Sequence, residues 1–170
     1  MARDILKTLQ SEHDLVRGLF AEMEETTDRS KKGRAELLER IEANLLPHAK
    51  WEELVFYPAF KERADRDGLK THAEAVQEHR AVELTVIPDV HAAAFDTPDF
   101  AGRAKVFGEL IDHHATEEET TMFKMAREMF NAQERAQLDQ QYEEWKQSPA
   151  AAAVVAKEKA KAGIKAVVRR

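Results

Sequence analysis

The stretch HAKWEELVFYP, His48 to Pro58, places a histidine and a glutamate four residues apart in a segment that otherwise reads as the buried face of a helix. A second stretch, HATEEETTMFK, His114 to Lys124, repeats the arrangement. Outward from His48 the apolar spacing is helical: Leu38, Ile41, Leu45, His48, Glu52, Val55 and Ala59 alternate steps of three and four, the pattern of a bundle seam. Three further seams share it. They read Leu6, Leu9, His13, Val16, Phe20, Met23; then His72, Ala75, His79, Val82, Val86; then Ala104, Phe107, Ile111, His114, Glu118, Thr121, Met125.

Polar clusters separate the seams: DRSKKG at Asp28 to Gly33, DRDG at Asp65 to Gly68, and DTPD at Asp96 to Asp99. Thr97 as N-cap with Pro98 at the first helical position marks the start of the fourth helix. Pro47 and Pro58 each lack an amide donor, which predicts a kink at one and a kink or helix end at the other. A shorter amphipathic helix follows, with Leu138, Tyr142 and Trp145 as its docking face. The expected fold is all-α, an up-down-up-down four-helix bundle with a short additional C-terminal helix.

Composition agrees. The 170 residues suit one domain, and charge is plentiful while Gly, Pro and aromatics are few, as in helical proteins. We expect a domain over residues 1–148 and a basic Ala/Lys-rich tail over 149–170. Residues 150–170 carry six basic side chains and one acidic, so a net charge of −6 leaves the body near −11. An acidic body argues against nucleic acid as a partner. The tail reads as a partly disordered solvated end, with contact to a partner or membrane surface as its functional alternative. No apolar run suggests a signal sequence or transmembrane span, and a cytoplasmic protein is expected. With no cysteine, any metal must be held by nitrogen and oxygen.

A shift of 66 residues lays the second helix pair on the first. Glu12-His13 falls on Glu78-His79, His48 on His114, and Glu52-Glu53 on Glu118-Glu119. Four of the seven histidines pair in this way, which points to duplicated hairpins about a pseudo-twofold axis. Residues four apart on a helix differ by about 40° and about 6 Å along the axis, so each His-x-x-x-Glu pair projects from one face. His13, His48, His79, His114, Glu52 and Glu118 therefore converge on the bundle centre. Bare carboxylates buried among imidazoles cost several kcal/mol per ion unless compensated. Metal cations remove that cost, and an imidazole–carboxylate set suits iron, zinc or copper. Two metals sharing both glutamates would each receive two nitrogens and two oxygens, leaving positions for an oxo or hydroxo bridge and a small ligand.

The motifs SEHDLV, HAKWEELVFYP, QEHRAV and HATEEETTMF resemble those of the hemerythrin-like (HHE cation-binding) family of di-iron bundles, over roughly Ile5 to Phe130. The resemblance implies two non-haem iron ions, with His13, His48, His79 and His114 as ligands and Glu52 and Glu118 as bridges. It further implies binding or turnover of oxygen, hydrogen peroxide or nitric oxide, with catalase-like chemistry as one concrete form. The alternative is an iron-sensing, iron-storing or iron-donating module without turnover. Oxygen-carrying hemerythrins have a fifth histidine one turn from the third-helix ligand, where this chain has Ala75 and Glu83. The set instead resembles bacterial relatives linked to oxidative and nitrosative stress, including those that repair iron–sulfur centres. His72, about 10.5 Å along the axis from His79, is expected at the bundle end or behind the ligands. Glu12, Glu53, Glu78 and Glu119 are expected on solvated flanks, with a hydrogen bond to the back of a ligand as the alternative, His91 and His113 at the surface, and Trp51 and Tyr57 in packing.

Overall fold

The computed structural model describes residues 3–168. Asp4 accepts the Leu6 amide and opens α1, Ile5–Glu24. The second rod, α2 (residues 31–63), consists of Lys31–Trp51, a π turn at Glu52–Phe56, and Tyr57–Arg63. Asp65 caps α3 (residues 66–92) by accepting from the Gly68 amide, and a second π turn spans Val82–Val86. Thr97 caps α4 (residues 98–129) with Pro98 in its first turn, as the DTPD reading predicts. A third π turn, Glu118–Met122, interrupts that rod. A reciprocal capping box between Asn131 and Glu134 starts α5, Ala132–Lys146. Helix α6, Pro149–Val168, follows.

Helix α1 packs against α2 and α4, α2 against α3, and α3 against α4. With short turns between consecutive rods, this is the expected up-down-up-down bundle. Two corrections concern its breaks. The α1–α2 break is Glu25–Ser30, with Lys31–Gly33 already helical, and DRDG lies across the cap and first turn of α3. Neither Pro47 nor Pro58 ends a helix. Pro58 follows directly on a π turn whose last bond runs from the Tyr57 amide to the Glu52 carbonyl, and Pro88 follows the corresponding bond from Ile87 to Val82. A proline is tolerated there because the regular i→i−4 ladder is already displaced.

Two apolar clusters fill the bundle. One contains Val16, Phe20, Leu38, Ile41, Phe100, Phe107 and Ile111; the other contains Leu6, Leu9, Trp51, Phe56, Phe60, Met122 and Phe123. Helices α1 and α4 approach closely at Gly108, where an added Cβ would lie 3.0 Å from the Phe20 ring. Each end is pinned by an arginine. Buried Arg34 donates to Thr26 Oγ1, Asp28 Oδ1 and the Phe95 carbonyl at 2.8–3.0 Å, tying two loops together. Arg63 does the same at the other end through the Met129 carbonyl and Glu134.

The segment expected as a solvated tail is the helix α6, packed on α2 and α3. Its alanines permit close approach: Ala151 is buried, and Val155 packs against the first apolar cluster. Lys161 and buried Glu158 lie beside Glu83 of α3, whose other oxygen is 2.9 Å from Lys50 Nζ. Among the described residues no helix is long and apolar enough to cross a membrane.

This ion cluster should make α6 acid-sensitive. Burial raises the pKa of Glu83, but a proton donated by the Glu158 carboxyl and the charges of Lys50 and Lys161 outweigh it and hold the carboxyl at about 2. A pKa lowered by folding contributes stability that is complete above the ordinary value of 4.5 and is lost as pH falls toward 2. Hydrogen exchange across that window should show α6 losing protection before the four main helices. Equal loss in both would show that this cluster does not hold the helix.

Candidate metal centre

The six predicted residues meet between the two apolar clusters. His13 follows Leu9 and precedes Val16 on α1, His48 stands between Leu46 and Trp51 on α2, and His114 lies one turn after Ile111. Glu52 and Glu118 each open a π turn, the wider turn that recurs at functional sites. All six side chains are largely or fully buried.

The imidazoles meet through Nε2. His13 and His48 are 3.1 Å apart at these atoms, and His79 and His114 are 3.0 Å apart. Glu52 reaches both pairs, at 3.1 Å from His48 Nε2 and 3.5 Å from His79 Nε2. Glu118 Oε2 lies 3.3 Å from His13 Nε2 and 3.7 Å from His114 Nε2. Despite these approaches, both Glu52 oxygens and Glu118 Oε2 are buried without a hydrogen-bond partner.

Each Nδ1 faces a carboxylate. His48 pairs with Glu12 at 2.8 Å and His114 with Glu78 at 2.7 Å. His13 pairs with Glu119 at 2.9 Å and His79 with Glu53 at 3.1 Å. These four glutamates follow the alternative reading, behind the ligands, and not the solvated flanks. A carboxylate at Nδ1 holds the proton there and turns the Nε2 lone pair inward, the tautomer that a metal requires. Converging lone pairs and unpartnered carboxylate oxygens fit a cation and little else. The same carboxylates make the pocket attractive to positive charge, so that without a metal a proton takes the cation's place: burial lowers the His48 pKa, but Glu52 and Glu12 outweigh it and push it up to about 10. Burial likewise raises the Glu118 pKa, and the neighbouring histidines more than reverse it.

The 66-residue shift relates these contacts as it relates the motifs, with one exception. Tyr57 donates to Glu118 Oε1 at 2.8 Å and its hydroxyl lies 3.1 Å from His79 Nε2. Its counterpart is Phe123, whose ring stacks on His13 at 5.9 Å. Tyr57 therefore belongs to the site and not merely to the packing. The available signal was a fully buried tyrosine on a ligand helix, since a buried hydroxyl needs a partner. His72 meets the Tyr57 ring edge-on at 6.1 Å, one residue removed from the ligands. His113 is exposed as expected, whereas His91 is half-buried and paired with buried Glu42.

A family profile described as the hemerythrin HHE cation binding domain matches residues 4–126. The chain belongs to this HHE family. Its structure is similar to the crystal structure of an HHE cation binding domain-containing protein from Mycobacterium kansasii, with a TM-score of 0.77 and 21% identity over 96% of this chain and 97% of that one. At that identity the likeness is one of fold. The sequence is also similar to a DNA nickase from a Nostoc species, 24% identical over 135 residues, which are 79% of this chain and 36% of that protein. The chain thus spans about a third of the length of that relative. As an HHE domain the bundle is a metal-binding fold, and the His/Glu layer is where its described residues gather metal-ligating atoms in buried surroundings.

Beside the imidazoles lies a cavity of about 40 Å³ lined by Leu45, Ala49, Val82, Ile87, Ile111 and the four histidines. Lys50, Glu53 and Glu83 stand at its polar margin. Its size admits a few atoms, since a single water needs roughly 10–15 Å³ by this measure.

Proposed function

We propose that this chain is a non-haem di-iron protein that binds or turns over a small ligand, with hydrogen peroxide removal as its concrete activity. The observation that carries the reading is the set of three unpartnered carboxylate oxygens facing four imidazoles, next to a small apolar cavity. His13 and His48 with Glu118, and His79 and His114 with Glu52, would hold the two ions, each carboxylate reaching toward both pairs. When bound, an adjacent iron pair supplies two-electron redox chemistry and Lewis acidity.

The protein residues supply selection, positioning and a proton. The apolar lining admits oxygen, peroxide or nitric oxide and excludes larger substrates. The four outer glutamates fix the ring orientations. Tyr57 keeps its hydroxyl proton against Glu118 Oε1, because burial and the charges of Glu118 and Glu52 raise its pKa. That places one O–H donor on one half of the site and none on the other, where Phe123 stands.

Iron-loaded protein should evolve oxygen from hydrogen peroxide. Tyr57→Phe should keep the metal content and lower turnover roughly 10²-fold, the usual scale for losing a positioned proton donor. Unchanged turnover in that variant would remove the hydroxyl from the chemistry. Absence of oxygen evolution from protein carrying stoichiometric iron would overturn the peroxide reading and favour an iron-holding module.

A further inference from the structure

We infer that His113, Glu78 and Glu117 form a second, solvent-facing site for a divalent cation, through which iron enters the buried centre. The entry role rests on the reading of that centre as a metal site; the outer site itself does not.

His113 and Glu117 stand four residues apart on α4, the spacing of both buried His-x-x-x-Glu pairs moved by one residue. His113 Nε2 lies 3.6 Å from Glu78 Oε1 of α3 and 3.6 Å from Glu117 Oε1. The three potential ligand atoms lie within 4.8 Å of one another. His113 is 62% exposed, Glu117 44% and Glu78 25%. One imidazole and two carboxylates suit Fe²⁺, Mn²⁺ or Zn²⁺. Three protein ligands on an exposed face leave the remaining positions to water, so the ion exchanges freely.

Two observations connect this cluster to the interior. Glu78 uses its other oxygen, Oε2, to accept from His114 Nδ1 at 2.7 Å, so a single carboxylate spans the outer cluster and a buried imidazole. Glu78 and Glu117 of this cluster, though not His113, also line a cavity of about 10 Å³ with Thr71, Ala75, Met122, His114 and Glu118. Glu118 is 2% exposed and its Oε2 has no hydrogen-bond partner. The cavity holds about one water-sized sphere. An ion taking this route would shed most of its hydration shell, with Glu117 and Glu78 replacing the waters it loses.

The pseudo-repeat shows that only one half carries this feature. Under the 66-residue shift Glu78, His113 and Glu117 correspond to Glu12, Pro47 and Trp51. There α5 closes the position: Tyr142 and Lys146 donate to the two Glu12 oxygens at 2.6 and 2.8 Å, and Trp51 is fully buried. The second half has ligating side chains where the first has a cover.

The test uses iron-loaded full-length protein titrated with Mn²⁺, with the free ion followed by its electron paramagnetic resonance signal. Wild type should take up one Mn²⁺ per chain beyond the buried centre. His113→Ala/Glu117→Gln should bind it more weakly by over about 100-fold, because losing ligands costs more than losing an outer-sphere partner. Glu117→Gln alone, an isosteric change on an exposed face, should give a smaller weakening in the same direction. Equal Mn²⁺ uptake by wild type and both variants overturns the site. For the entry role, metal-free protein is mixed anaerobically with Fe²⁺. The double variant should reach the same final iron content at least about tenfold more slowly; equal rates overturn entry by this route. A wild-type chain that takes up no iron overturns the buried centre itself, while its Mn²⁺ count still decides the outer site.

Discussion

Glu52→Ala protein is expected to purify without stoichiometric metal, and the wild type with about two ions per chain. Glu52 is fully buried, and both of its oxygens lack a hydrogen-bond partner. It also contributes to both clusters of metal-ligating atoms, one with His13, His48 and Glu118 and the other with His79 and His114. Removing an outer-sphere partner already costs about 10- to 100-fold in affinity. Losing a carboxylate shared by both clusters should exceed that at each ion, and elemental analysis should read near zero. Stability separates this from simple misfolding. Without metal, Glu52 is the counter-charge of His48, whose pKa it raises, so removing it breaks a buried pair at a cost of about 3–5 kcal/mol. Metal-free Glu52→Ala should therefore melt below metal-free wild type while keeping its helical circular dichroism, and added iron should raise the melting temperature of the wild type alone. A variant that retains metal, or whose melting temperature rises with added iron as the wild type's does, would contradict the assignment.

The fold and the inner ring of the site were legible because they rest on period and duplication. Four seams of threes and fours can only be buried as a bundle, and the repeated His-x-x-x-Glu pairs fall on those seams in both halves. The π turns were not legible. They displace the backbone ladder by one residue without disturbing the apolar spacing, and two of the three left a trace, Pro58 and Pro88, each directly after the displaced bond. The same local widening lies beneath the misreading of Glu53 and Glu119. At ideal helical geometry a residue next to a seam position points about 100° away, toward solvent. In the structure they reach the Nδ1 atoms of His79 and His13. All four outer glutamates share a further reason: their histidine partners lie on neighbouring helices, and no pattern within one helix reveals a contact between two. Helix α6 read as a solvated tail because alanine contributes little to a seam, yet its small side chains are what allow it to lie close on α2 and α3.

Trp51→Ala is expected to cost about 3–5 kcal/mol, the range for deleting a buried large aromatic. For a chain of this length that is a fall in Tm on the order of 10 °C. Trp51 is fully buried, and its ring lies 4.8 Å from that of Tyr142, so it supports the docking of α5 on the bundle. The consequence extends to the metal centre. Tyr142 donates to Glu12 Oε2, Lys146 sits over the Tyr142 ring and donates to Glu12 Oε1, and Glu12 in turn accepts from His48 Nδ1. Burial raises the Glu12 pKa, but His48, Lys146 and Tyr142 outweigh it and hold the carboxyl at about 2, so it stays charged behind the imidazole. A loosened α5 should therefore weaken metal binding by about tenfold as well as stability, since an outer-sphere partner of a ligand histidine is disturbed. Tyr142→Phe separates the two effects. It keeps the ring and removes one of three donors to Glu12, so it should lower stability by only about 1 kcal/mol and leave metal content intact. If Trp51→Ala lowers the melting temperature of the metal-free protein but leaves metal affinity at the wild-type value, then α5 supports the bundle without setting His48. A joint loss instead makes α5 the cover that holds the first half of the centre in place, at the position where the second half carries Glu117 and opens to solvent.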